Sequence, residues 1–283
     1  MSQLEVVDRI RRTGTALTSA ERRVAEVVLA RPQLVGFGTV ADLAAAAAAG
    51  AATVVRLAAK LGYDGFSALQ ASVQRDLARQ LRPAAERIRE LGGDAPIARH
   101  CTTELSNVQA TLDAVDPVTL DAVVALLSDH QREVYVLSGD AERGIAAQFA
   151  YEFATLRAGV GMLGGSDVAV RRELALSCAG ATVIVIDLRR YERWVLDAVR
   201  AASELGHTIV ALTDGHLSPL TMAAAHSFVV SAASVSPFDS HVGTLALLDL
   251  LVASCAERLR DSAADRLVRI ETLWAAGDSL TAE

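Results

Sequence analysis

The period of the apolar residues changes once along this chain, and that change constrains the fold more than any single motif. From Val6 to about Gln80 apolar side chains recur at helical spacing. From Glu133 onward the runs EVYVLS (133–138), GVGML (159–163), ATVIVIDL (181–188), HTIVALTD (207–214) and SFVV (227–230) alternate with amphipathic segments at about 141–157, 167–178 and 193–205. Short β-branched runs separated by helices imply strands buried on both faces of a parallel sheet with right-handed crossovers. The expected fold is therefore an all-helical N-terminal domain followed by a three-layer α/β sandwich. In such sheets ligands bind beyond the carboxyl ends of the strands, so the loops after Leu137, Ile186 and Leu212 should line a small-molecule site.

Within the helical stretch, TSAE (Thr18 to Glu21) and TVAD (Thr39 to Asp42) each read as a capping box that opens a helix. Val40, Leu43, Ala44 and Ala47 then fall on one face, and Gly50 breaks the helix. A third helix from about Ala51 to Leu61 buries Val54, Leu57, Ala58 and Leu61 and stops at Gly62. Two short helices around a tight glycine-containing turn are the pattern of a helix-turn-helix. If those four residues face inward, Ala52, Thr53, Arg56 and Lys60 project outward and fit a major groove. Thr53 suits a base edge or phosphate, Arg56 a guanine and Lys60 a phosphate, while Val55 and Ala59 suit a thymine methyl. With Thr39 at the start of the preceding helix, the candidate DNA contacts are Thr39, Ala52, Thr53, Val55, Arg56 and Lys60. The alternative is that Arg56 and Lys60 only solvate a surface helix.

Charge agrees with this division. Residues 1–80 carry 10 Arg and Lys against 7 Asp and Glu, leaving 17 against 27 in the remainder, so a basic head precedes an acidic body. Cys101, Cys178 and Cys255 stand 77 residues apart each time, too far in sequence for a short metal motif and suited to a reducing cytoplasm. Glu5 and Asp8 interrupt any export signal, and the uncharged run from Leu43 to Val55 is too short to span a bilayer of about 30 Å. The expectation is a cytoplasmic protein with no membrane partner, no metal and no cofactor.

The run from LTSAERRVAEVVLARP through TVADLA and ATVVRLAAKLG to GYDGF resembles the N-terminal domain of the RpiR family of bacterial transcription regulators over about 65 residues. Two positions depart from the family: Gly50 stands where a serine usually opens the recognition helix, and Ala59 where a basic residue is common. The resemblance implies a second domain of the sugar isomerase (SIS) type, and TDGHLSPLTMAAAHSFVV and SPFDSHVGTLALLDLLV are similar to its late strand and closing helix. The implied organisation is a DNA-binding domain over 1–80, a linker with connecting helices over 81–127, and an effector-sensing and dimerisation domain over 128–283. The linker proper is placed from Pro83 to His100, with helices resuming at Thr102.

The family holds a phosphosugar with small hydroxyl residues after the first and third strands of this domain. This chain has SGDAE (138–142) and DLRRYE (187–192) there, so Glu142, Asp187 and Glu192 stand where hydroxyls are expected. Carboxylates repel phosphate, whereas Arg143, Arg189, Arg190 and Arg193 suit an acid. The candidate effector site comprises Ser138, Asp140, Glu142, Arg143, Asp187, Arg189, Arg190, Thr213, Asp214 and Ser218; the alternative is a salt-bridge network closing a vestigial site. An SIS-type sugar-phosphate isomerase is the competing function, with His207, His216, His226 and His241 and the acids just named as the available bases, but no Ser-His-Asp order, HExxH or phosphate-binding loop is visible. The function implied is a ligand-responsive regulator, a homodimer or higher oligomer, that binds a palindromic operator and carries no catalytic residues.

Overall fold

The computed structural model describes residues 5–13, 17–80, 83–90, 92, 94–215 and 218–279. The chain divides into two compact units, residues 1–92 with 215–218 and residues 93–214 with 219–283.

The first unit contains α1 (Glu5–Thr13), α2 (Ser19–Ala30), α3 (Pro32–Phe37), α4 (Val40–Ala46), α5 (Ala51–Lys60), α6 (Phe66–Gln80) and the short α7 (Ala84–Arg87), which runs into a 3-10 turn. Both expected capping boxes form. The Thr18 side chain accepts from Glu21 N and the Thr39 side chain from Asp42 N, each acidic partner bonding back to the cap amide. The chain turns by 99° between α4 and α5, in the range of a helix-turn-helix. The left-handed residue of that turn is Ala48 (φ 45°), while Gly50 is extended and serves as the N-cap of α5 without a side-chain bond. Arg23 closes the turn from α2, its Nε donating to Ala47 O at 3.2 Å and its Nη2 to Ala48 O at 3.1 Å. Val24, Val28, Leu43, Val54, Leu57, Ala58 and Leu69 form the core, each buried leucine contributing about 1.5–3 kcal/mol.

The second unit begins with α8 (Pro96–Asp113) and α9 (Pro117–Ser128), then alternates β1 (Val134–Ser138), α10 (Arg143–Leu156), β2 (Val160–Leu163), α11 (Asp167–Leu176), β3 (Thr182–Ile186), α12 (Arg193–Glu204), β4 (Thr208–Thr213), the short α13 (Pro219–Ala223), β5 (His226–Val229) and α14 (Val242–Ala276). All five expected strands are present, and they pair in parallel in the order β2-β1-β3-β4-β5. Alternate strand residues face opposite layers. Val136, Ile184, Ile186, Val210 and Leu212 pack among residues of α9, α10 and α14, and Leu137, Val183, Val185, Ile209 and Ala211 among those of α11 and α12.

The expectation that 81–127 links two domains is corrected here. The helix α8 starts at Pro96, with proline at its first turn after a left-handed Ala95, and is part of the second unit. Asn107 Oδ1 accepts from Ser231 Oγ at 2.9 Å, and Thr111 Oγ1 accepts from Ser231 N at 2.9 Å. A Cβ on Gly243 of α14 would lie 2.6 Å from Thr111 Oγ1, so α8 and α14 touch through a bare backbone. Polar residues spaced along α8 conceal this packing from a reading of apolar period.

Candidate functional site

The outward face of α5 is narrower than the sequence suggests. Ala52, Val55, Arg56, Ala59 and Lys60 are exposed. Thr53 is not: it is 7% exposed, because it lies one turn before Leu57 and beside Val54 and is drawn into the edge of the buried stripe. Its hydroxyl accepts from Arg56 Nη2 at 3.2 Å, so Thr53 supports the exposed Arg56 rather than projecting outward itself. Lys60 also departs from expectation, its Nζ lying 2.8 Å from Oε2 of the buried Glu21. That bond, with the Thr18 amide, holds the Glu21 carboxyl down at about 2. Thr39 is exposed, and its hydroxyl is engaged with Asp42 Oδ2 at 2.7 Å.

In the second unit the chain leaves β1 for β2 on one side and returns to β3 on the other, so a crevice opens at the carboxyl ends of β1 and β3. Gly139 sits there, its amide donating to Ile186 O. An ideal Cβ on Gly139 would lie 2.7 Å from Glu142 Oε2, 2.8 Å from Asp187 Oδ1 and 3.1 Å from Glu192 Oε1. Three carboxylates therefore converge over a residue with no side chain. Glu142 and Asp187 are 4% and 2% exposed. Burial, and then the charge of Asp187, pushes the Glu142 carboxyl up to about 8. Burial likewise raises Asp187 to about 7, against the pull of the Glu192 amide.

The backbone donors of these loops are already occupied. Asp140 N donates to Glu192 Oε1 at 2.6 Å, and Glu192 N donates to Asp187 Oδ2 at 3.0 Å. Trp194 Nε1 holds the second oxygen of Glu192. Beside this cluster Arg189 is clamped, with Nη2 2.8 Å from Asp239 Oδ1 and Nε 3.8 Å from Asp214 Oδ2. Tyr191 donates to Asp214 Oδ1 at 2.8 Å, and burial raises the Asp214 carboxyl. Ser138 and Thr213 end β1 and β4 and are buried; Asp140 is exposed and pairs with Arg143 at 2.5 Å; Arg190 is exposed in a left-handed conformation. Ser218 is buried and is not among the residues converging on Gly139.

The expected residues thus separate into an inner carboxylate group, a clamped arginine and an exposed Asp140–Arg143 pair. The expectation that the arginines would receive an anion is corrected for Arg189, which Asp214 and Asp239 hold. Asp239 and Tyr191 were not singled out from the sequence, although SPFDSH carries a polar cluster ahead of a long apolar helix. Of the histidines, His207 and His226 lie at the amino ends of β4 and β5, remote along their strands from the crevice, while His241 caps α14. His216 lies outside the described residues.

A model of the helix-turn-helix domain of the rpiR family matches residues 4–80, and a model of the SIS domain matches residues 127–254. The chain belongs to the RpiR family. The HTH-type transcriptional regulator HexR of Pseudomonas aeruginosa is 27% identical over 251 residues, covering 86% of each chain. The sugar isomerase domain of an RpiR transcription factor from Sphaerobacter thermophilus is 26% identical with a TM-score of 0.56, covering 62% of this chain and 97% of that one. The Vibrio vulnificus NanR protein complexed with ManNAc-6P shares the fold at 22% identity and a TM-score of 0.54, covering 95% of this chain and 98% of that one. This RpiR-family chain is a transcription regulator of the helix-turn-helix plus SIS type, and the sheet order and crevice described above are those of its SIS domain. Among the described residues no single helix is long and apolar enough to cross a membrane.

Proposed function

We propose that this regulator docks α5 in the major groove of a palindromic operator as a homodimer, and that a small metabolite in the crevice over Gly139 changes its DNA affinity. The exposed face of α5 supports the first part: Arg56 stands among the small residues Ala52, Val55 and Ala59, which let the helix approach base edges closely. Paired heads would meet half-sites about one helical turn apart. The division of the chain near residue 92 supports a head that folds around its own core. An effector acts through unequal affinity for the DNA-competent and incompetent arrangements.

Regulation is favoured over sugar-phosphate isomerisation by the helical head, for which an isomerase has no use, and by the similarity to transcriptional regulators over most of the chain. His207 and His226 begin their strands, at the end opposite the crevice, which leaves the carboxylates of Glu142 and Asp187 as the bases an isomerase would have there. The deciding experiment is a gel-shift with duplexes from upstream of the protein's own gene, repeated across salt concentrations and a metabolite panel, with turnover of aldose and ketose phosphates assayed in parallel. Salt-dependent, sequence-selective shifts without turnover support the reading; turnover without DNA binding overturns it.

A further inference from the structure

We infer that Arg23 is a positioning residue for operator recognition: its guanidinium fixes the turn between α4 and α5, and through that turn the approach of Arg56 to base edges. The inference rests on α5 being the helix that reads DNA, and adds what sets the angle of that helix.

The local signals of this turn are weak. The end of α4 closes as a Schellman motif, with Ala48 N donating to Ala45 O at 3.1 Å and Ala49 N to Ala44 O at 2.9 Å. That closure needs a left-handed residue, and the chain supplies Ala48 (φ 45°) where a glycine would carry no steric penalty. On the other side of the turn Gly50 caps α5 with no side-chain bond. Neither helix end therefore specifies the 99° bend through its own side chains.

Arg23 supplies the missing restraint from α2. The Schellman closure leaves the carbonyls of Ala47 and Ala48 outside its two bonds, and the Arg23 fork takes both, Nε on Ala47 O at 3.2 Å and Nη2 on Ala48 O at 3.1 Å. A planar guanidinium set on neighbouring carbonyls restrains the orientation of two peptide groups together, which one bond does not. The far end of α5 is tied to the same helix by the Lys60–Glu21 pair. Leverage makes the near end matter. Arg56 lies about 9 Å along α5 from Gly50, so a tilt of about 10° at the turn displaces its backbone by about 1.5 Å. Base-edge hydrogen bonds hold over a window of only about 0.5 Å. Ala48 is exposed, so water takes over its carbonyl when Arg23 is removed, and the loss falls on geometry rather than on a buried acceptor.

The test uses the full chain, a duplex enriched by it from a random pool, and a scrambled duplex of the same length. Affinities are read by fluorescence anisotropy across a salt series, well below the melting temperature of each variant. Arg23→Met should weaken the enriched duplex about tenfold and the scrambled duplex less than about twofold, with the salt slope unchanged. Ala48→Gly removes the left-handed penalty; it should restore most of the lost selectivity in the Arg23→Met background and alter it little by itself. Arg23→Lys keeps the charge but gives up the planar fork, and should lose selectivity in the same direction. A merely structural role would lower the melting temperature without moving the ratio of the two affinities. Equal weakening of both duplexes, with the slope flattened by about one, would place Arg23 on a phosphate and overturn the inference. Full selectivity in both Arg23 variants overturns it too, as does a loss that Ala48→Gly does not recover. Arg56→Ala, measured alongside, separates this inference from the reading beneath it. If Arg56→Ala loses selectivity while Arg23→Met keeps it, the inference alone fails. If Arg56→Ala keeps full selectivity, or the pool yields no enriched duplex, the reading of α5 fails and the inference with it.

Discussion

Nζ of Lys60, in the last turn of α5, lies 2.8 Å from Oε2 of Glu21, the same oxygen that accepts the Thr18 amide in the capping box of α2. One carboxylate therefore finishes the start of α2 and fixes the end of α5. Glutamine at position 21 can still complete the box, so Glu21→Gln isolates the ion pair and should lower the stability of the first unit by about 1 kcal/mol. Because the folded carboxyl titrates at about 2, below its ordinary 4.5, the stabilisation is present above about pH 4.5 and is lost as pH falls towards 2. Hydrogen exchange of the α2 and α5 amides against pH would show this; an unchanged acid profile in Glu21→Gln would count against it.

Arg56 is the residue of α5 suited to read a base. Arg56→Ala should weaken a specific operator by about 1–3 kcal/mol while leaving random duplex nearly unchanged. Lys60→Ala should reduce the salt slope by less than the roughly one unit expected for a free phosphate contact, since Glu21 already compensates its charge. Fluorescence anisotropy across a salt series separates the two, and equal losses on specific and random DNA from Arg56→Ala would remove its assignment.

Much of this was legible in the sequence. The capping boxes at Thr18 and Thr39 and the five β-branched runs each depend on local pattern, and each formed within one or two residues of its expected bounds. Thr53 was misplaced because a helical wheel leaves the edge of a stripe undecided, and a short β-branched side chain there folds inward beside Leu57. Lys60 and Arg189 were misread because their partners, Glu21 and Asp239, lie 39 and 50 residues away in sequence. The acidic replacements at Glu142, Asp187 and Glu192 were visible as residue types, but their convergence over Gly139 depends on the crossover that brings β1 beside β3.

Gly50 caps α5 with extended backbone and no side-chain bond, and a Cβ there would meet nothing within 4 Å. Gly50→Ser should therefore supply the missing acceptor for the first amides of α5 and stabilise the first unit by about 0.3–0.5 kcal/mol. A chemical denaturation midpoint that moves down instead would mean that the hydroxyl does not reach the amides.

Arg189 lies between Asp214 and Asp239, with the acidic side chains only 7% and 14% exposed. Arg189→Ala leaves both carboxylates without that cation and should destabilise the second unit by about 3 kcal/mol. Arg189→Glu should be worse, adding a third negative charge, so loss of effector response in that variant would report unfolding. Thermal melts of both variants should rank them in that order; a wild-type melting temperature for Arg189→Glu would show that the clamp is dispensable.

Glu142 and Asp187 have the opposite pH signature to Glu21. Their folded carboxyls titrate at about 8 and about 7, above the ordinary 4.5 and 3.8, so folding favours the protonated forms. The resulting penalty is absent below about pH 4 and grows until it levels off at the folded values of about 7 and 8, with Glu192, Asp214 and Asp239 adding repulsion. The second unit should therefore lose stability from about pH 4 to about pH 8 and change little above that. Glu142→Gln keeps the shape of the site while removing one ionisation and its repulsion with Asp187. Its advantage over the unsubstituted chain should be near zero at about pH 4 and reach a plateau of roughly 2–3 kcal/mol above about pH 8. Urea denaturation followed at Trp194, whose indole bonds Glu192 beside the cluster, measures that difference directly. A gap independent of pH would mean that the two carboxylates are solvated, and that Gly139 lies at the floor of an open, water-filled crevice.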